Sequence, residues 1–338
     1  MGAKKTGPEK LQGQLKVIGD FAGKDILSCL KGAGLGPCNT DVEYGPHTML
    51  KLSYLNYYLG FFLRIAYSRA KVPTRRNQIL VFDRIVFVDM FAGSGIARIS
   101  GSGYPVLGSP LLAAIDGRFD EVIAIEGNLQ RASLLQKRAQ ALGIQNLRVI
   151  CGDSNVEVKT LPTLAGLSPT SIVMLFVDPE GMEPQFASLL PLMTTTQYVD
   201  TMMNYTFGVR RLQGRIEKHM AEGDVAAMTK MIPNYVPGDH PDEALAQLFE
   251  TYFGKPIADQ VDIHSKGSKV EYSMILRLRR TQTDSEWVKS LAGFGSYLSS
   301  IDGQATLHLM DVVSGRQSQF SETLATKFPG NREGGIGD

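Results

Sequence analysis

The chain has very little cysteine: 3 residues in 338, at Cys29, Cys38 and Cys151. Three scattered thiols cannot form a disulfide framework, and no Cys-x-x-Cys pair of the kind that holds zinc is present, so no metal site is expected. This usage fits a reduced, cytoplasmic chain. No apolar run approaches the ~20 residues of a membrane span, and Met1-Gly2-Ala3-Lys4-Lys5 lacks the apolar stretch of a secretory leader, so no membrane partner is expected. An excess of one charge is also missing. With 35 basic against 34 acidic residues the net charge is +1, and any affinity for a polyanion must come from a local patch. No internal repeat occurs, and compositional bias is confined to the glycine-rich tail 330–338, expected to be disordered. What remains is ordinary globular material: 43% hydrophobic residues, enough for one elaborated domain or two smaller ones.

The most informative run is Val88-Asp89-Met90-Phe91-Ala92-Gly93-Ser94-Gly95, directly after Arg84-Ile85-Val86-Phe87. It reads as a buried strand breaking into a glycine turn, with Asp89 at the carboxyl end, where open α/β sheets bind ligands. A dinucleotide fold wants glycine at the first, third and sixth positions of the turn; here the sixth is Arg98. Asp89 is instead suited to accept from the ammonium of a methionine moiety. That favours S-adenosylmethionine over a nicotinamide cofactor, with a ligand-free strand-to-helix turn as the bland alternative.

Further strands repeat the pattern. Glu121 to Ile125 ends in Glu126-Gly127-Asn128, whose carboxylate suits two ribose hydroxyls. A helix of period 3.6 follows (Leu129, Ala132, Leu135, Ala139, Leu142), closed by Gly143. Leu147 to Cys151 ends in Gly152-Asp153-Ser154, with Asp153 an acceptor for an adenine amino group. Ile172 to Val177 ends in Asp178-Pro179-Glu180-Gly181, and Tyr198 to Met203 ends in Asn204-Tyr205. Each acid taken singly is equally well explained as a helix cap or turn residue. Asp89, Glu126, Asp153 and Asp178 closing strands of one sheet read together as a cofactor edge.

Four runs carry a family resemblance: Gly45-Pro46-His47-Thr48-Met49-Leu50-Lys51-Leu52-Ser53-Tyr54-Leu55, the turn Asp89 to Gly95, Gly108-Ser109-Pro110-Leu111, and Val177-Asp178-Pro179-Glu180-Gly181. In these the chain resembles class I S-adenosylmethionine-dependent methyltransferases and, among them, the three-Cys-motif partner proteins. The resemblance spans roughly residues 40 to 280. It implies an α/β fold: a doubly wound, mostly parallel, seven-stranded Rossmann-like methyltransferase sheet with an inserted helical segment after the fifth strand. It also implies S-adenosylmethionine as cofactor, held by Asp89, Phe91, Ala92, Gly93, Gly95, Glu126, Asp153 and Ser154, and a protein partner. The expected division is an N-terminal arm over 1–44, a methyltransferase-like domain over 45–280 with the insertion at 205–256, and a C-terminal extension over 281–329.

The remaining segments give finer expectations. The arm holds one short helix and a turn-rich stretch from Lys31 to Pro37, and is expected to be peripheral. Thr48 to Ala70 is a long amphipathic helix whose Tyr54, Tyr57, Tyr58, Phe61 and Phe62 suit either core packing or base stacking. The glycine-rich Ile99 to Gly108 is a candidate lid, with Ser109 as N-cap and Pro110 opening a helix. In the insertion, Arg211, Arg215 and Lys218 share a helical face that suits phosphates or plain solvation. Lys269 to Arg280 reads as an antiparallel strand at or near the sheet edge, and 281–319 as a helix and a hairpin around Trp287.

Alignment accounts for most of methyl transfer, so the acceptor side needs only a few groups: Asp178, Pro179 and Glu180 are the candidate catalytic residues, and Asn204, Tyr205, Arg211 and Arg215 the candidate substrate contacts. Amino-methylating enzymes commonly place Pro-aromatic where this chain has Glu180-Gly181. Three functions stay open: methylation of a nucleic acid or nucleotide, methylation of a small molecule or protein, and a catalytically silent S-adenosylmethionine-binding partner.

Overall fold

The computed structural model describes residues 5–69, 82–181, 183–206, 222–233, 235–236, 244–245, 247–248, 250–251, 257–264, 270–278 and 285–316. In chain order the elements are α1 (Gly7–Ile18), α2 (Ile26–Gly32), β1 (Glu43–Tyr44), α3 (Thr48–Arg69), β2 (Ile85–Asp89), β3 (Ile96–Ile99), β4 (Pro105–Leu107), α4 (Ser109–Asp116), β5 (Glu121–Glu126), α5 (Leu129–Ala141), β6 (Leu147–Cys151), α6 (Ser154–Leu164), β7 (Ile172–Val177), α7 (Phe186–Thr195), β8 (Tyr198–Thr206), α8 (Glu222–Met231), β9 (Ile257–His264), β10 (Val270–Arg277), α9 (Glu286–Ser299) and α10 (Gly303–Val313).

Strands β2, β5 and β7 are buried along their whole length, which is why they read as unbroken apolar runs. Successive side chains go to opposite faces, and two separate cores result. Ile85, Phe87, Phe176 and Met274 pack with α1, α3, α4, α9 and α10. Val86, Val88, Leu175 and Ile275 pack with α6, α7 and α8 on the other face. The seven strands lie in the order β6-β5-β2-β7-β8-β10-β9; β10 pairs antiparallel with both neighbours, while the pairs among β6, β5, β2, β7 and β8 are parallel. This is the expected doubly wound, mostly parallel, seven-stranded Rossmann-like sheet. The chain moves outward from β2 through β5 to β6, then returns to β7 on the other side. Strand order therefore reverses between β2 and β7, and the crevice for a ligand opens at their carboxyl ends.

The structure corrects several expectations. The segment read as a peripheral arm is part of the core: Leu11, Leu15, Ile18 and Leu30 are fully buried, and α1 packs on α3 and α10. Leu11, Leu15 and Ile18 fall at i, i+4 and i+7, which turns one stripe of α1 inward. The candidate lid is a β-hairpin, β3 pairing antiparallel with β4, and β1 joins it in parallel to make a small second sheet. Helix α4 takes Gly108, not Ser109, as its N-cap, with Ser109 its first residue. After β10 the chain forms two helices, α9 and α10, instead of a helix and a hairpin; Trp287 in α9 meets Phe61 with ring centroids 5.9 Å apart. Tyr54, Tyr58 and Phe62 of α3 are buried, so this stripe is core. Strand β8 runs on to Thr206, three residues past the expected end, so Asn204 and Tyr205 lie within it. Among the described residues no helix is long and apolar enough to cross a membrane. Arg211, Arg215, Lys218 and the tail 330–338 lie outside the described residues.

Candidate active site

Asp89 closes β2 at the reversal of strand order. It is fully buried; Oδ1 accepts from the Phe91 N–H at 3.1 Å, and Oδ2 makes no hydrogen bond. Burial pushes its carboxyl up to about 7, against the Ser109 hydroxyl and the Phe91 N–H, with the Asp178 and Glu126 carboxylates adding to the rise. An unpaired buried carboxylate oxygen is costly, and a cationic donor is what would satisfy it.

The turn beyond Asp89 is held from several directions. Ala92 N–H donates to the Ile125 carbonyl at 2.9 Å, Gly108 N–H to the Gly95 carbonyl at 2.8 Å, and Gly93 N–H to Glu126 Oε2 at 2.8 Å. Gly93 and Gly95 have φ of +63° and +86°, a region that favours glycine. A Cβ on Gly95 would lie 2.7 Å from Leu135 Cδ1, whereas one on Gly93 would meet nothing within 4 Å. Helix packing thus requires glycine at 95; at 93 the backbone faces open space.

Ser94 ties the turn to a buried ion pair. Arg138 Nη1 lies 2.5 Å from Asp41 Oδ1, neither side chain exposed. The guanidinium also donates to the carbonyls of Leu35, Gly36 and Ser94, and the Ser94 hydroxyl donates to Asp41 Oδ1 at 2.5 Å.

The acceptor side is built around Asp178. Lys51 Nζ, from the start of α3, lies 2.6 Å from Asp178 Oδ2, and Asn204 Nδ2 donates to Oδ1 at 2.7 Å. Lys51 also lies over the Tyr44 ring, 5.7 Å from its centroid. The Tyr44 hydroxyl donates to Glu180 Oε1 at 3.4 Å; burial raises its pKa, with Asp178 and Glu180 adding to the effect. Arg131 bridges Glu126 and Glu180, 3.6 Å from each.

One small cavity of about 40 Å³ lies where the glycine turn meets Lys51 and Asp178. It is lined by Tyr44, Thr48 and Lys51, by the backbone from Phe91 to Gly95, by Gly108 and Ser109, and by Asp178.

The expected cofactor residues thus sit along one sheet edge in different states. Asp89, Phe91, Ala92, Gly93 and Gly95 surround the turn. Glu126 is buried and accepts from Gly93 N–H and, through Oε1, from Asn128 N–H at 2.8 Å. Asp153 is the N-cap of α6, its Oδ1 accepting from Asn155 N–H, and the Ser154 hydroxyl donates to the Met90 carbonyl. Among the acceptor residues, Asp178 and Asn204 meet, Pro179 is buried, and Glu180 is exposed.

Sequence reasoning missed Tyr44, Lys51, Asp41 and Arg138 as members of the site. Lys51 had a signal: it is the single charged residue from Thr48 to Leu63. Arg138 had none, because a charge on an amphipathic helix ordinarily faces solvent.

No protein-family model matches the chain, and no curated protein matches it in sequence. Solved structures do. Cofactor-bound Rv0187 from MTB is 17% identical, with a TM-score of 0.42, over 83% of this chain and 100% of that one. An O-methyltransferase from Bacillus cereus in complex with SAH is 12% identical, with a TM-score of 0.39, over 79% and 91%. TYW2 from M. jannaschii in complex with AdoMet is 14% identical, with a TM-score of 0.31, over 64% and 74%.

Proposed function

We propose that the chain is an S-adenosylmethionine-dependent methyltransferase. The observation that carries this is convergence: the four runs that resemble methyltransferases, separated widely in sequence, all contribute to one cavity at the reversal of strand order. Chance placement of unrelated caps and turns has no reason to produce that.

The residues suit the cofactor. Asp89 Oδ2, buried and without a partner, offers a carboxylate oxygen to an ammonium. The open side of Gly93 lets a ligand approach the backbone. Each oxygen of Glu126 retains a lone pair beyond its backbone partner, enough for ribose hydroxyls, and the free oxygen of Asp153 can accept from an adenine amino group. Phe91, Ala92, Gly95 and Ser154 shape and anchor the turn. When bound, the cofactor supplies a methyl group on positively charged sulfur, which needs alignment and a dry pocket more than further activation.

On the acceptor side, Asp178 and Asn204 orient the substrate over buried Pro179, and Glu180 with Tyr44 and Arg131 forms the rim. A nucleotide or nucleic acid is the proposed acceptor class, with Tyr205 as a stacking group and Arg211 and Arg215 as phosphate contacts. Within methyltransferases, likeness to the three-Cys-motif partner proteins adds a proposed protein partner, and the three scattered thiols support a proposed cytoplasmic location. Glu180-Gly181, in place of Pro-aromatic, counts against methylation of an exocyclic amine; the likeness to partner proteins supports as a second reading a silent cofactor-binding partner, which turnover by the purified chain would eliminate.

A displacement assay tests the cofactor. Labelled S-adenosylmethionine should bind and be displaced by S-adenosylhomocysteine and not by a nicotinamide dinucleotide. Absence of binding, or displacement by the dinucleotide, would overturn the proposal.

A further inference from the structure

Lys51 and Asp178 are brought together from opposite ends of the Rossmann half of the chain, and they meet beside the glycine turn. Lys51 Nζ lies 2.6 Å from Asp178 Oδ2, with side-chain exposures of 8% and 15%. Both line the cavity that Gly93 and Gly95 also line. Asp178 Oδ1 is engaged by Asn204 Nδ2 at 2.7 Å. An ammonium on an otherwise apolar helix stretch is costly to bury, and its position at the acceptor side gives it a chemical use.

The pair discriminates between acceptors. An amine attacks as a neutral nitrogen and gains positive charge as its new bond forms, which a neighbouring ammonium opposes. It also needs an oxygen to receive its N–H, and both Asp178 oxygens already have donors. A hydroxyl has the opposite requirement: its oxygen must shed a proton and carry negative charge at the moment of attack, and a fixed ammonium stabilises that charge.

Resting on the methyltransferase assignment, we propose that this chain methylates a hydroxyl oxygen, with the Lys51 ammonium facing that oxygen and Asp178 receiving its proton by way of Lys51. Lys51 passes one proton to Asp178 Oδ2 as it takes the hydroxyl proton, so it ends as an ammonium. The acceptor oxygen uses its freed electron pair for the new bond to the methyl carbon, while the pair of the broken carbon–sulfur bond stays on sulfur. Asp178 then releases its proton to water. Lys51 is thus a catalytic and specificity-determining residue, and Asn204 a positioning residue that fixes the Asp178 carboxylate.

Equilibrium binding of three probes to the full chain tests this. One is S-adenosylhomocysteine; the other two replace its sulfur with nitrogen bearing either a hydroxyethyl or an aminoethyl arm, which carries the terminal heteroatom toward the acceptor position. The wild type should bind the hydroxyethyl probe about fivefold or more tightly than the aminoethyl probe. Lys51→Gln should abolish that preference and Lys51→Arg should keep it, each read as the ratio of the two probes' affinities within one protein. A smaller or reversed preference in the wild type would overturn the hydroxyl assignment and leave the cofactor assignment standing, and that comparison needs no variant to fold. Failure of S-adenosylhomocysteine itself to bind would overturn both.

Discussion

Arg138 and Asp41 meet with no exposure of either side chain, Nη1 lying 2.5 Å from Oδ1 and Nη2 2.9 Å from Oδ2. The remaining guanidinium donors go to the carbonyls of Leu35, Gly36 and Ser94. The pair therefore joins three distant pieces of chain: the loop after α2, the glycine turn and the last turn of α5. Because every donor is used, its desolvation is offset as fully as a buried ion pair allows.

Removing one partner leaves the other charge stranded. Arg138→Met should cost about 3–5 kcal/mol, read as a lowered midpoint in urea unfolding. Asp41→Asn, which keeps the shape and loses the charge, should also destabilise. If either variant unfolds at the wild-type midpoint, the pair does not anchor the turn.

Asp89 should make stability fall as pH rises. Its carboxyl titrates near 7 when folded and near 3.9 when unfolded, so between those values the folded state holds the extra proton. The contribution is fully present below about pH 4 and is lost as pH rises through about 7. The difference is about 4 kcal/mol at the upper end of that window. Asp89→Asn should therefore flatten the pH dependence and be the more stable protein at pH 8. Unfolding free energies at pH 5 and 8 check this; an unchanged slope in the variant would contradict it.

The two turn glycines should respond differently to alanine. At Gly95 the Cβ would meet Leu135 at 2.7 Å as well as the unfavourable φ, so Gly95→Ala should lose about 2–4 kcal/mol. At Gly93 only the φ is unfavourable, a cost of about 1 kcal/mol, but the new methyl projects into space proposed for ligand. Gly93→Ala should thus weaken cofactor affinity by about tenfold while folding nearly as well as the wild type. Equal affinities for Gly93→Ala and the wild type would remove Gly93 from the proposed site.

The central strands were legible because burial on both faces writes itself as an unbroken apolar run ending in a polar residue, as at Asp89, Glu126 and Asp178. The β3–β4 hairpin was not, since Gly101 and Gly103 give the stretch from Ile99 to Gly108 the composition of a loop. Gly103 N–H instead bonds to the Ile99 carbonyl and Ile99 N–H to Tyr104, closing a tight turn. Strand β9 escaped notice because Asp259, Gln260 and Asp262 break its apolar pattern. Tyr54 donates to Asp259 Oδ2 at 2.6 Å, and Ser273 to Asp262 Oδ1 at 2.5 Å, partners that only the folded chain supplies. The site was half legible for the same reason. Residues at strand ends announce themselves locally, whereas Lys51 beside Asp178 and Arg138 beside Asp41 are tertiary contacts: the sequence marks Lys51 only as a lone charge without its partner, and Arg138 not at all.

The most direct measurement is a calorimetric titration of S-adenosylmethionine into the wild type and Asp89→Asn at pH 8, where Asp89 is ionised. One-to-one saturable binding by the wild type, weakened about tenfold or more in the variant, is the predicted result. No heat of binding in the wild type, or equal affinity in the two proteins, would contradict the assignment of the β2 edge as a cofactor site.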